Sequence, residues 1–172
     1  MPPVDVVIIR GAPGAGKSQS AKSLAKYFPG GARIEIDTVR AMVISVDWTN
    51  QDEHIKMLEL STRLVHDFKK LELTPVIVVD TFSGDKIEAF VTQLKRLDPA
   101  LTVRTCGLYV AEEELEKRIT ARSDSEFKDI GVCKKLNAYV VRNKYQNELQ
   151  INTTGISPEE TAEIMYQWLT GV

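Results

Sequence analysis

Cysteine is scarce in this 172-residue chain: Cys106 and Cys133 stand 27 positions apart, with no metal-ligand spacing around them. Two isolated thiols exclude a disulfide framework and a thiolate zinc site, and they read as free cysteines of a reducing compartment. Histidine is equally rare, at His54 and His66. Long hydrophobic runs are missing. The opening MPPVDVVIIR holds a four-residue apolar run and no basic leader, too short for a membrane span or a signal peptide. The chain is therefore expected in the cytoplasm, away from membranes. A surplus of positive charge is also absent: 22 Lys and Arg against 24 Asp and Glu leave a net charge of −2. That balance disfavours nucleic acid as the main partner, although a local basic groove fits within it. Repeats, low-complexity stretches and linkers are lacking too. With 43% hydrophobic and 27% charged residues, 1–172 is expected to form a single domain around one substantial core.

What is present is an alternation of short β-branched runs with longer segments of helical period. Strands are expected at Val4 to Ile9, Ala32 to Ile36, Pro75 to Asp80, within Leu101 to Val110, and at Leu149 to Thr153. Helices are expected at Lys17 to Phe28, Thr38 to about Ile44, His54 to Leu71, the stretch carrying Ile87, Phe90, Val91, Leu94 and Leu97, Glu112 to Arg122, and Lys134 to Gln146. In the third of these the apolar face is Ile55, Leu58, Val65 and Phe68. Ser123 to Gly131 reads as a polar loop. The last helix has the clearest start: Ser157 as N-cap, Pro158 at N1 and Glu160 at N3 form a capping box, and Ala162, Met165, Tyr166 and Leu169 form its buried face. Strands apolar throughout and separated by helices imply a parallel sheet covered on both sides, an α/β fold. Ligands of such sheets sit at the carboxyl ends of the strands.

Between the first strand and the first helix lies GAPGAGKS, which meets the pattern G-x-x-x-x-G-K-[ST] at Gly11, Gly16, Lys17 and Ser18. The loop residues Gly11, Ala12, Pro13, Gly14, Ala15 and Gly16 let backbone N–H groups curl around phosphate oxygens, next to a helix N-terminus. Lys17 is placed to reach the β- and γ-phosphates of a nucleotide, and the Ser18 hydroxyl to bind Mg²⁺. A guanine-nucleotide switch is excluded, because residues 143–146 read NKYQ, without the guanine-gripping aspartate, and DTFSG is one residue too long for D-x-x-G. A motor-type ATPase would place Glu after the strand-three aspartate, and Thr81 follows Asp80 here.

Phosphate transfer to an acceptor needs a base, an in-line hydroxyl and cations over the transferring group. IEIDTVRAM supplies Asp37 at a strand end and Arg40 one helical turn on, the first to take a hydroxyl proton, the second to hold an anionic group. Asp37 also suits the cap of its own helix, and both roles stay open. Asp80 ends a buried-type strand and is a candidate Mg²⁺ partner through water. Thr81, Phe82 and Ser83 are expected to border the acceptor. Arg118 and Arg122, four apart before the polar loop, are either a lid over the phosphates or a solvated face paired with Glu114. Asp47, Trp48, Asn50 and His54 could line the acceptor pocket. Trp48 reads rather as a partly buried packing residue, His54 also as a surface residue at a helix entry, and His66 as solvated.

The glycine loop, the D-x-x-R after strand two, Asp80 and the R-x-x-x-R together resemble the small P-loop kinases. The resemblance is to the group related to the 5′-kinase domain of polynucleotide kinase and, at greater distance, to zeta-type toxins, chloramphenicol phosphotransferase and the shikimate and gluconate kinases. It covers nearly the whole chain, through ELQINTTGISPEETAEIMYQWL. It implies a P-loop NTPase three-layer sandwich, a five-stranded parallel sheet in order 2-3-1-4-5 and a helical lid at about 118–135. It implies ATP and Mg²⁺ as cofactors and Asp37 as general base. Arg40 would be an acceptor or phosphate ligand, Arg118 and Arg122 lid residues, and Thr153 and Thr154 neighbours of the adenine. Relatives of polynucleotide kinase commonly read D-T-N where this chain reads Asp80-Thr81-Phe82, which turns the expectation toward a small-molecule acceptor. A nucleic-acid 5′-hydroxyl and a nucleotide-binding regulator without turnover are the alternatives. Acceptor identity and oligomeric state are not written in the sequence.

Overall fold

The computed structural model describes residues 3–172. Its elements in chain order are β1 (Val6–Gly11), α1 (Lys17–Ala25), β2 (Ala32–Glu35), α2 (Ile36–Arg40), α3 (Gln51–Lys70), β3 (Val76–Val79), α4 (Lys86–Leu97), β4 (Val103–Tyr109), α5 (Glu112–Thr120), α6 (Ile130–Arg142), β5 (Leu149–Asn152) and α7 (Pro158–Thr170). The five strands form one parallel sheet in the order β2-β3-β1-β4-β5, as expected. Among the described residues no helix is long and apolar enough to cross a membrane.

Period-two alternation splits the strand residues between two layers. Val6, Ile8, Ile34, Val76 and Val78 face α3 and α4, where Leu58, Val65, Ile87, Phe90 and Leu94 complete one core. Val7, Ile9, Ile77, Val79, Leu108 and Ile151 face α1 and α7, and pack on Leu24, Ala162, Met165 and Leu169. Burial on both faces explains why β1 and β3 read as unbroken apolar runs. The α7 capping box forms as expected, with Glu160 N–H donating to Ser157 Oγ at 3.1 Å and Ser157 N–H donating to Glu160 Oε2 at 2.6 Å.

Several boundaries differ from the sequence expectations. β2 stops at Glu35, because Ile36 turns into the core as the first residue of α2. Asp37 therefore lies inside the first turn of α2, and Glu35 occupies the cap position, so Asp37 is not the helix cap. α1 ends at Ala25 rather than Phe28, its chain continuing through turns. α3 starts at Gln51, where Asn50 accepts from Glu53 N–H at 3.0 Å. α6 starts four residues earlier than expected, behind the Asp129 cap, and ends at Arg142. Ile55 is 43% exposed and Leu97 38%, each at the rim of its expected apolar face.

One charged pair is built into this frame. Arg10 lies in β1, 1% exposed, and its guanidinium forks onto Glu148, Nε to Oε2 at 2.6 Å and Nη2 to Oε1 at 2.9 Å. Nη2 also donates to the Asn143 carbonyl at 2.8 Å. Gly107 of β4 makes room for the carboxylate: a Cβ there would stand 2.7 Å from Glu148 Oε1. Removing one member of such a pair strands the other charge, at a cost of about 3–5 kcal/mol, whereas replacing both with apolar groups is far milder. Urea unfolding of Glu148→Leu is therefore expected to show a loss of that order, and Arg10→Met/Glu148→Leu to recover most of it. Equal losses in the single and double variants would show that the pair does not act as a unit.

Candidate functional site

The phosphate loop leaves β1 at Gly11 and enters α1 through Gly16, whose φ of 93° is a left-handed conformation that glycine adopts without strain. No side chain caps α1, and its first turn carries no acidic residue. Its N-terminal N–H groups and partial positive charge are thus left for an external anion. Lys17 Nζ donates to the Ala12 carbonyl at 3.1 Å. The protein packed around this ammonium drives its pKa down to about 8, against the upward pull of Asp80 and Asp37. A cavity of about 490 Å³ opens over the loop, walled by Lys17, Ser18, Arg118, Arg122, Thr153, Ile156, Pro158 and Thr161.

Two side chains hold the loop from outside. The buried Thr153 hydroxyl donates to the Ala15 carbonyl at 3.0 Å. Arg118 donates from Nη1 to the Gly14 carbonyl at 3.2 Å and to Thr153 Oγ1 at 3.2 Å, and from Nη2 to the Thr153 carbonyl at 2.9 Å. Its Nε meets Glu114 at 3.3 Å. Arg118 thus braces the loop instead of standing free in a lid, and it makes the expected Glu114 pair as well. Thr153 commits its hydroxyl to the loop, while Ile156 and Pro158 form the apolar part of the cavity wall. Arg122 donates to the Phe127 carbonyl at 3.3 Å, lines the cavity, and lies near enough to Lys17 to lower its pKa.

On the β2–β3 side, Ser18 Oγ donates to Glu35 Oε2 at 3.0 Å. Asp37 is exposed, and its carboxylate makes no hydrogen bond among the described residues. The surrounding protein and then Asp80 push its pKa up, while Lys17 and Arg40 pull it down. Arg40 is buried: Nη2 donates to the Asp47 carbonyl at 3.2 Å, Trp48 lies against the guanidinium at 4.9 Å, and Nε is without a partner. It holds the 41–50 segment closed as much as it faces the cleft. Asp80 is buried, accepts from Phe82 N–H at 3.0 Å, and meets His54 Nε2 at 3.2 Å. His54 Nδ1 in turn lies 3.2 Å from Lys86 Nζ, which also donates to Gln51 at 2.6 Å. His54 is therefore buried rather than on the surface, and His66 is half-buried rather than solvated. Phe82, expected beside the acceptor, is fully buried and tilted against Phe90, with ring centroids 5.1 Å apart. Both cysteines are free and buried, and burial raises the pKa of each thiol.

A family model described as an AAA domain matches residues 6–140. The chain belongs to this AAA-domain family. No curated protein matches it. Among solved structures, this AAA domain is similar to a sugar kinase from Janibacter sp. HTCC2649, with TM-score 0.69 and 16% identity over 98% of this chain and 95% of that one. It is similar to the APS kinase of Mycobacterium tuberculosis, solved with AMPPNP and APS, with TM-score 0.63 and 16% identity over the full length of both. It also matches a chain of an RNA repair complex, with TM-score 0.69 and 20% identity over 83% of this chain and 46% of that one. The fold is that of the small P-loop kinases.

Sequence reasoning passed over Glu35 and Lys86 and set His54 aside. The signal for His54 was its position one turn into an amphipathic helix next to Leu58, which points it at the sheet. A testable consequence follows from Lys17. Phosphate oxygens around its ammonium raise the pKa again, so nucleotide binding above pH 8 takes up a proton. Affinity for a triphosphate is expected to be flat below pH 8 and to fall by up to about tenfold per pH unit above it. Titration calorimetry in buffers of different ionisation enthalpy reads the proton directly. In Lys17→Arg, charged throughout this range, the decline should vanish; a decline that persists there would assign it to another group.

Proposed function

We propose that this AAA domain transfers the γ-phosphate of ATP to a hydroxyl of a small-molecule acceptor, with Asp37 as the base. The observation that carries the proposal is the state of the carboxylates in the cleft. Asp80 is tied to His54 and the Phe82 amide, and Glu35 to Ser18. The Asp37 side chain is exposed, makes no hydrogen bond among the described residues, and has its pKa raised by the surrounding protein and by Asp80. Sugar-kinase and APS-kinase neighbours support transfer to a small molecule.

In this reading Asp37 accepts the proton of the acceptor hydroxyl as its oxygen bonds to the γ-phosphorus. The bond from that phosphorus to the β-phosphate oxygen breaks, and ADP leaves. Lys17 and the α1 N-terminus hold the β- and γ-oxygens, and Arg122, which lines the cavity with Glu126, offsets charge gained in transfer. Arg118 and Thr153 act by fixing the loop. Arg40 keeps the 41–50 segment against the acceptor side. Among the described residues no group of three or more His, Cys, Asp or Glu could hold a metal by itself. The donors present, the Ser18 hydroxyl with Glu35 and Asp80 nearby, fit Mg²⁺ that arrives on the nucleotide. When bound, Mg²⁺ would neutralise phosphate charge between the β- and γ-groups.

The test is transfer of label from γ-labelled ATP into a protein-free cell extract by the wild type and by Asp37→Asn. The expected result is a labelled small molecule that falls at least about a hundredfold in the variant, with nucleotide affinity within about twofold. Equal labelling in both proteins would remove Asp37 from the chemistry. Label found on nucleic-acid 5′ ends instead would replace the acceptor class.

A further inference from the structure

Asp80 and Lys17 carry opposite charges near the same loop, and they do not bond. β3 runs beside β1 with Val79 level with Ile9. Asp80, the next residue, therefore stands at the root of the phosphate loop, its N–H donating to the Ile9 carbonyl at 3.3 Å. Of the acids that pull the Lys17 pKa upward, Asp80 pulls hardest. Yet among the described residues Lys17 Nζ donates to the Ala12 carbonyl and is hydrogen-bonded to no carboxylate. The Asp80 carboxylate is turned to His54 instead, whose Nε2 lies 3.3 Å from Oδ1 and 3.2 Å from Oδ2. Phe82 N–H donates to Oδ2 at 3.0 Å.

The proton on that ring nitrogen is set from the far side. Lys86 Nζ lies 3.2 Å from His54 Nδ1 and donates to Gln51 Oε1 at 2.6 Å. An ammonium has protons to give and no lone pair to offer. Nδ1 is therefore the acceptor, and the ring carries its proton on Nε2, facing Asp80. Burial lowers the Lys86 pKa, and the Asp80 charge beyond the ring draws it back up. His54 is 6% exposed and Asp80 7%. None of Gln51, His54 and Lys86 lines the cavity over the loop, so whatever they do for a bound phosphate they do through Asp80. A carboxylate released from such a hold has a strong alternative close by, a charge-assisted bond to the Lys17 ammonium. That bond would compete with phosphate oxygens for the same protons.

We propose that His54 is a positioning residue of the nucleotide site: its Nε2–H, fixed by Lys86, holds the Asp80 carboxylate off Lys17 and so leaves the ammonium to the phosphates. This role rests on the proposed use of the loop by ATP and deepens it. Asp80 then lends its charge to the neighbourhood of Lys17 without closing an ion pair on it.

The experiment measures binding of a non-hydrolysable ATP analogue by titration calorimetry in EDTA at neutral pH, so that no divalent cation intervenes. The proteins are wild type, His54→Leu, His54→Gln, Asp80→Asn and the His54→Leu/Asp80→Asn double variant, each checked by thermal melting. His54→Leu is expected to lose about tenfold or more in affinity, the scale of one hydrogen bond to a charged group. His54→Gln, whose amide can donate in place of Nε2–H, should recover most of that loss. The double variant should bind within about threefold of Asp80→Asn, because a neutral amide cannot sequester the ammonium and the effect of His54 passes through Asp80. Should His54→Leu fail to fold, His54→Asn takes its place, since the shorter amide stops short of Asp80. Nitrogen-15 resonance of the two imidazoles, told apart with His66→Gln, should show His54 in one tautomer with the proton on Nε2; a proton on Nδ1 would overturn the part given to Lys86. Undiminished affinity in the folded His54 variants would overturn the role of His54 while nucleotide binding stands. A loss that Asp80→Asn does not lift would overturn it too, leaving His54 a packing residue. A wild type that binds no nucleotide would overturn the nucleotide reading itself, and this inference with it.

Discussion

The site depends on one anchored peptide. A peptide carbonyl and the next N–H point in opposite directions, so the Thr153 hydroxyl, by holding the Ala15 carbonyl, sends the Gly16 N–H to the other side. Arg118 adds the Gly14 carbonyl to the same clamp and grips Thr153 itself. Without these bonds the loop's polar groups could satisfy one another, and the N-terminus of α1 would lose its orientation toward a ligand. The clamp comes from α5 and from the residue just after β5, both far along the chain from the loop, so phosphate recognition is not a property of eight residues alone.

Around that edge the acidic groups have divided their duties. Asp80 is immobilised by a histidine that a lysine supports from behind, and Glu35 accepts a hydrogen bond from the Ser18 hydroxyl at the start of α1. Asp37 is left facing water. One strand end (Glu35) and the turn after it (Asp37) thus present two carboxylates of opposite character two residues apart. The helical turn that begins at Ile36 produces this, since it swings Asp37 outward while Glu35 stays beside the loop.

The sequence was most legible where local chemistry is strict. The glycine pattern and the α7 capping box rest on local rules that need no distant partner, the parallel sheet shows in apolar runs alternating with helices, and each stands in the structure. It was least legible where a partner lies far along the chain. Arg10 lay just past the expected strand and drew no reading, because nothing local marks Glu148, 138 positions away, as its partner. Phe82 looked like an acceptor neighbour until its φ of 50° and the Phe90 ring were seen to carry it into the core. Arg118 could not be told from a solvated arginine, since the carbonyls it holds, of Gly14 and Thr153, lie 104 and 35 residues away. His54 was misjudged for the same reason: its burial depends on Asp80 and Lys86, on two other elements.

The Arg10–Glu148–Gly107 contact also has a consequence for descent. A change at any one of the three positions leaves an unmatched charge or a collision of a Cβ with a carboxylate oxygen 2.7 Å away. The three are therefore inherited as one unit. A lineage that abandons the arginine is free to give up the glutamate and then to admit a side chain at 107. A lineage that keeps the arginine has all three held in place, so these positions should change in that order or not at all, while the surface around them varies residue by residue.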